Sequence, residues 1–154
     1  MSELRDTVDL RHGSIHPDAL GAVLLACRTA GGAEPCGLLL GHVAESDVRI
    51  EEAVATPNAH PTPDRAFQIP AAAHADAVRR ARAKGWKVVG TWHGHLAGPP
   101  EPGATDAAGL REQEAVDGEA RVLLIAGSGG GAAPVVRGYA SRQGDRLQEI
   151  PLRA

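Results

Sequence analysis

Prolines and glycines cut this chain into short pieces, and several of the pieces between them are apolar runs too short to be helices. Cys36-Gly37-Leu38-Leu39-Leu40, Trp86 to Trp92 and Arg121 to Ala126 are such runs. Bounded by turn formers, runs of this length read as buried strands. Between them lie stretches with helical periodicity. Pro17 suits the first position of a helix, and Leu20, Val23, Leu24 and Cys27 follow at i, i+3, i+4 and i+7, with Gly31-Gly32 as the stop. Pro70 opens a second helix that runs to Lys84, its inner face expected at Ala71, Ala75, Val78 and Ala81. A third spans Ala104 to about Val116.

The remaining pieces are a weak first strand over residues 4–11, a strand from Val48 to Thr56 after the turn Glu45-Ser46-Asp47, and a short strand over 66–69. Pro57 to Pro63 and Leu96 to Gly103 are proline- and glycine-rich loops. A last hairpin pairs about Val135–Ser141 with Leu147–Leu152 across Gln143-Gly144-Asp145. The sum is α+β, a mixed sheet flanked by helices, in one domain over residues 1–154. With Phe67, Trp86, Trp92 and Tyr139 as the only aromatics, the core is built from Leu, Val, Ile and Ala.

A net charge of −3 with no basic run excludes simple attraction to a phosphate backbone. No apolar stretch reaches the roughly 18 residues of a membrane span, and residues 1–6 lack the apolar core of a signal peptide. Cys27 and Cys36 are too few for a disulfide framework. The expected setting is a reducing cytoplasm, with neither nucleic acid nor membrane as partner.

The chemistry concentrates at Trp92-His93-Gly94-His95, directly after the apolar run Val88-Val89-Gly90-Thr91. Residues i and i+2 of a strand face the same side, so His93 and His95 project together, as ligands of one ion must. Asp106 follows near the start of the third helix. Zinc in hydrolytic sites takes three such ligands and leaves a fourth position for water, whose pKa it lowers towards about 7. Two His and a carboxylate also suit Fe(II), and an Asp at a helix start is also a common cap. A His-x-His pair by itself is therefore a weak signal.

The second half of the pattern lies upstream. Glu34-Pro35-Cys36-Gly37-Leu38-Leu39-Leu40-Gly41 sets a carboxylate just before a buried strand. Together with His93-Gly94-His95 and Asp106, it resembles the JAB/MPN (JAMM) metallopeptidase family, whose pattern is a Glu followed by His-x-His-x7-Ser-x2-Asp. Asn58, the proline-rich loop and Phe67 are also similar to that family, and the resemblance runs from about Ala33 to Gly109. It implies a mixed, mostly antiparallel curved sheet flanked by helices, of cytidine-deaminase-like type. It also implies one Zn2+ held by His93, His95 and Asp106, with Glu34 as general acid/base in hydrolysis of an amide or isopeptide bond. Gly103 stands where the family has Ser, and Leu96 replaces the proline that usually follows the second His. The loss of one such oxyanion donor costs about 10²–10³ in rate. A backbone N–H at Gly103 is one substitute, whereas Thr105, two positions on, is expected to point elsewhere.

The resemblance further implies a substrate with a ubiquitin-like or sulfur-carrier module, whose glycine-ended tail adds as a strand beside Val48–Thr56. The alternative is a binding module of the same fold, weak or inactive in catalysis because of Gly103. Cys36 reads as a small buried hydrophobe, and His12, His16, His42, His60 and His74 as structural or surface residues. Gly127-Ser128-Gly129-Gly130-Gly131-Ala132 fits a dinucleotide fingerprint only formally, because the strand Val135–Ser141 and no helix follows it. The zinc-deaminase pattern H-x-E with P-C-x-x-C is absent.

Overall fold

The computed structural model describes residues 9–103, 105–117, 119–128, 133–142 and 146–154. Its strands are β1 (His12–Ile15), β2 (Cys36–Ala44), β3 (Asp47–Thr56), β4 (Lys87–Gly94), β5 (Val122–Ser128), β6 (Pro134–Arg142), β7 (Arg146–Ile150) and β8 (Leu152–Arg153). The helices are α1 (Pro17–Arg28), α2 (Ala71–Ala83) and α3 (Asp106–Asp117). The strands form one sheet of order β7-β6-β5-β4-β2-β3-β1-β8. β1 runs parallel to β3 and β8, and β4 parallel to β5; the other pairs are antiparallel. The sheet is thus mixed and mostly antiparallel.

The last segment of chain bends the sheet nearly closed. β7 pairs with β6 at one edge, and β8, just past Pro151, pairs with β1 at the other. The Gly13 N–H donates to the Pro151 carbonyl at 2.9 Å, and the Arg142 guanidinium donates to the Leu10 carbonyl at 2.8 Å. The same few residues therefore supply both edge strands of the sheet.

Alternation along β2 separates the two faces. Leu39 joins Trp92, Val122 and Leu124 beneath Ala19 and Val23 of α1. Leu38 and Leu40 face the other way, against Ala77 and Ala81 of α2. On that second face Leu123, Ile125 and Tyr139 meet Leu110 of α3. Helix α1 therefore covers one side of the sheet, while α2 and α3 stand on the other.

Several local expectations shift. The first strand begins at His12, where pairing with Asp47–Ile50 starts; residues 1–8 of the expected strand lie outside the described residues. Helix α1 ends at Arg28, ahead of the glycines, because the Thr29 hydroxyl donates back to the Leu25 carbonyl at 2.9 Å. Residues 66–69 are not a strand: their backbone groups turn to the Asn58 side chain instead. Ala77 and Ala81 are the buried face of α2, while Ala71 and Ala75 are exposed, because the first turn overhangs a cavity that Ala71 lines. β1 occupies the outer side of β3 at Asp47–Ile50, so within β3 only 51–56 keep an edge without a strand partner among the described residues.

Gly37 is a close-approach glycine. The Trp92 indole passes over it to donate to the Val54 carbonyl at 3.3 Å, and a Cβ at Gly37 would stand 1.8 Å from that oxygen and 2.5 Å from Trp92 Nε1. Gly37→Ala is expected to destabilise by about 3 kcal/mol through overpacking. Gly21→Ala, on the exposed face of α1 with nothing within 4 Å, is expected to stabilise by about 0.5–1 kcal/mol. Urea unfolding of the two variants checks both signs.

Candidate metal centre

β4 carries His93 as its penultimate residue and releases His95 one residue past its end. The two rings lie with centroids 5.1 Å apart, on one side of the chain. Asp106 is the first residue of α3. One ligand atom from each of His93, His95 and Asp106 lies within 4.8 Å of the others. Tetrahedral ligands about 2.0–2.2 Å from one ion lie about 3.3–3.6 Å apart. Side-chain shifts of about 1 Å therefore complete the shell.

Each ligand is oriented by a different device. The Pro99 carbonyl accepts from His95 Nδ1 at 2.8 Å, which leaves Nε2 with its lone pair free. That carbonyl is itself held in place. The His95 N–H donates to Ala126 O, the Ser128 N–H to Gly98 O, and the Tyr139 hydroxyl to Pro100 O at 2.6 Å. His93 is buried, and Phe67 stacks on its ring at 4.5 Å. Its Nδ1 has no hydrogen-bond partner, and its Nε2 lies 3.8 Å from Asp106 Oδ1. Burial, helped by His95, pushes its pKa down to about 3, so the ring is neutral at physiological pH and able to bind metal. The Gly103 N–H donates to Asp106 Oδ2 at 2.5 Å, and the Asp106 N–H returns a bond to Gly103 O. Burial pushes the Asp106 carboxyl up; Gly103 and His95 oppose the shift. A half-sequestered carboxylate beside two imidazoles with free lone pairs is a donor set that a divalent cation would neutralise.

Glu34 reaches the same place through the sheet register. Cys36 lies opposite His93 on the antiparallel β2–β4 pair, and the Gly94 N–H donates to Pro35 O at 2.9 Å. Continuing that register sets Glu34 across from His95. Glu34 is buried and lines the cavity, of about 720 Å³, that His93, His95, Gly103, Thr105 and Asp106 also line. Desolvation raises its carboxyl pKa. Asp106 and Asp64 add to the rise, and His95 opposes it.

All four residues singled out by pattern thus share one cavity. Gly103 does so too, but its N–H is committed to Asp106, which removes it as an oxyanion donor. A Cβ there would meet only Asp106 Oδ2, at 3.7 Å. Thr105 lines the cavity rather than pointing away, and Thr91 brings a second hydroxyl-bearing side chain. His60 and His74, read as structural or surface residues, also line it. His12, His16 and His42 engage Asp47, the Asp18 N–H and Glu51. Cys36 turns its thiol to Thr56 and Pro57, and burial holds that thiol protonated. Gly127 and Ser128 end β5 and β6 follows; residues 129–132 lie outside the described set.

Sequence reading missed Gly94 as an architectural residue and noted Asn58 only as part of the family resemblance. A Cβ at Gly94 would lie 2.7 Å from Cys27 Sγ and 3.0 Å from Pro35, so only glycine lets β4 pass between α1 and the Glu34 segment. The x of His-x-His was the available signal.

An α+β fold with His-x-His at a strand end, Asp at a helix start and a buried Glu on one cavity defines a JAB-type domain with a candidate metal centre. The chain belongs to the prokaryotic homologs of the JAB domain, a family whose match covers residues 16–139. The chain is also similar to the solution structure of protein DSY2949 from Desulfitobacterium hafniense. That similarity has a TM-score of 0.74 at 25% identity and covers 91% of this chain and 90% of that one. No curated protein matches the chain. No helix among the described residues is long and apolar enough to cross a membrane.

Zn2+ titration followed by calorimetry is expected to saturate at one ion, and Asp106→Ala to weaken binding by more than about 100-fold. In the metal-free protein the unfolded chain protonates His93 near the ordinary 6.5, while the folded chain refuses the proton until about 3. His93 therefore withdraws stability as pH falls through that window. Relative to His93→Gln, the wild type is expected to lose stability on acidification from about 6.5 towards 3 in urea titrations with chelator; parallel curves would contradict the assignment.

Proposed function

We propose that the protein is a zinc-dependent metallopeptidase of JAMM type, hydrolysing an amide or isopeptide bond at the C-terminal tail of a ubiquitin-like or sulfur-carrier protein. The observation that carries this reading is the convergence of Glu34 with His93, His95 and Asp106 on one cavity. The bound ion would supply Lewis acidity to the reacting carbonyl. Glu34, with its raised pKa, accepts a proton from the attacking water and delivers it to the departing amine. Burial of the site keeps bulk water from competing with that transfer. Thr105 and Thr91 are the cavity hydroxyls available to support the developing oxyanion in place of the missing family Ser. The substrate tail is expected to lie along residues 51–56, where β3 has no second strand partner among the described residues. Two free cysteines suit a reducing cytoplasm.

The engagement of the Gly103 N–H by Asp106 favours a second reading, a binding module that holds such a tail with little or no turnover. Cleavage of a Gly-Gly-linked carrier fusion separates the two. The peptidase reading expects metal-dependent cleavage that falls by about 10²–10⁴ in Glu34→Gln. Activity surviving both that change and chelation would refute it. Gly103→Ser has room for its side chain and is expected to raise kcat by about 10-fold or more if the oxyanion lacks a donor; Thr105→Ala is expected to lower it.

A further inference from the structure

Glu34 stands on irregular backbone between α1 and β2, so no helix or strand holds it. Its N–H donates to Pro63 O at 2.7 Å, and its carbonyl accepts from Asn58 Nδ2 at 3.1 Å. Both tethers come from the loop between β3 and α2, and one side chain organises that loop. Asn58 Nδ2 donates also to Ala66 O at 2.9 Å and Pro63 O at 3.3 Å. Asn58 Oδ1 accepts the N–H of His60 at 3.0 Å and of Gln68 at 3.1 Å. Three carbonyls face one end of this amide and two N–H groups face the other, so its orientation is determined and its hydrogen-bonding capacity is used. Asn58 does not line the cavity. What it ties down does: Glu34 directly, and Phe67, which follows the bonded Ala66 and stacks on His93.

We propose that Asn58 is the positioning residue of this centre. Its amide joins the Glu34 backbone to the loop and so sets the Glu34 carboxylate relative to the metal ligands. The consequence for turnover rests on the peptidase reading above; the tether itself does not. A carboxylate on loop backbone needs such a support, because a displacement of about 1 Å costs about 10² in rate.

Two variants separate the ends of the amide. Asn58→Ala removes donors and acceptor, whereas Asn58→Asp keeps an acceptor for His60 and Gln68 but turns an oxygen on the three carbonyls. Amide hydrogen exchange on the metal-free protein is expected to show Glu34 exchanging at least about 10-fold faster in both variants. His60 and Gln68 should exchange faster in Asn58→Ala alone, and Trp92 in neither. With zinc bound stoichiometrically, kcat on the Gly-Gly-linked fusion is expected to fall by about 10² with KM little changed. In a Glu34→Gln background Asn58→Ala should add no further loss, because it acts through Glu34. Unchanged Glu34 exchange overturns the proposal. So does loosened exchange with wild-type kcat, or an equal further loss in the Glu34→Gln background. If Asn58→Ala does not fold, Asn58→Asp carries both arms. If the wild type cleaves nothing, the peptidase reading falls, and exchange at Glu34 alone decides whether Asn58 is its tether.

Discussion

The antiparallel register between β2 and β4, with Cys36 opposite His93, is the constraint on which the site depends. It sets Glu34 across from His95, although the two are far apart along the chain. A slip by one residue would turn every side chain of a strand to the opposite face. His93 would enter the α1 core, and Trp92 would enter the cavity. The register is defended by shape as well as by hydrogen bonds. Gly37 leaves space for the Trp92 indole to reach the Val54 carbonyl, and Gly94 slips between Cys27 and Pro35.

The electrostatics of the centre follow from where that register buries it. Desolvation keeps His93 neutral and raises the pKa of Glu34 and Asp106. Near neutral pH the same burial that weakens the carboxylates as isolated charges prepares the set for a cation, since no Lys or Arg side chain bonds to either of them among the described residues. Two of the three ligands are then aimed by a backbone group, the Pro99 carbonyl for His95 and the Gly103 N–H for Asp106, while His93 lies under the Phe67 ring. The proline- and glycine-rich segment after His95 is thus tied by hydrogen bonds to Ala126, Ser128 and Tyr139.

Residue pattern made much of this visible in advance. The apolar runs became β2, β4 and β5, and the helices fell close to where Pro17, Pro70 and the segment after Gly103 indicated. His93, His95 and Asp106 converge as their spacing and the family resemblance implied. The departures occurred where tertiary contacts outcompeted local preference. Residues 66–69 have strand-like composition but bond to a side chain, Asn58, that no periodicity reveals. Ala71 and Ala75 have the right spacing for the core, yet α2 overhangs a cavity at that end. Thr105 and His74 reach the site for the same reason: the walls of a cavity come from elements distant in sequence.

By itself the sequence determined the element types and the donor atoms, because strand alternation and helix starts are local properties written in residue identity. Only the tertiary structure decided that a glutamate on irregular backbone faces those donors, that the Gly103 amide is spent on Asp106, and that Asn58 anchors the loop. The placement of Glu34 is a long-range pairing that exists only once β2 and β4 are in register, whereas the Gly103–Asp106 and Asn58 bonds are local but depend on loop geometry that residue identity does not specify.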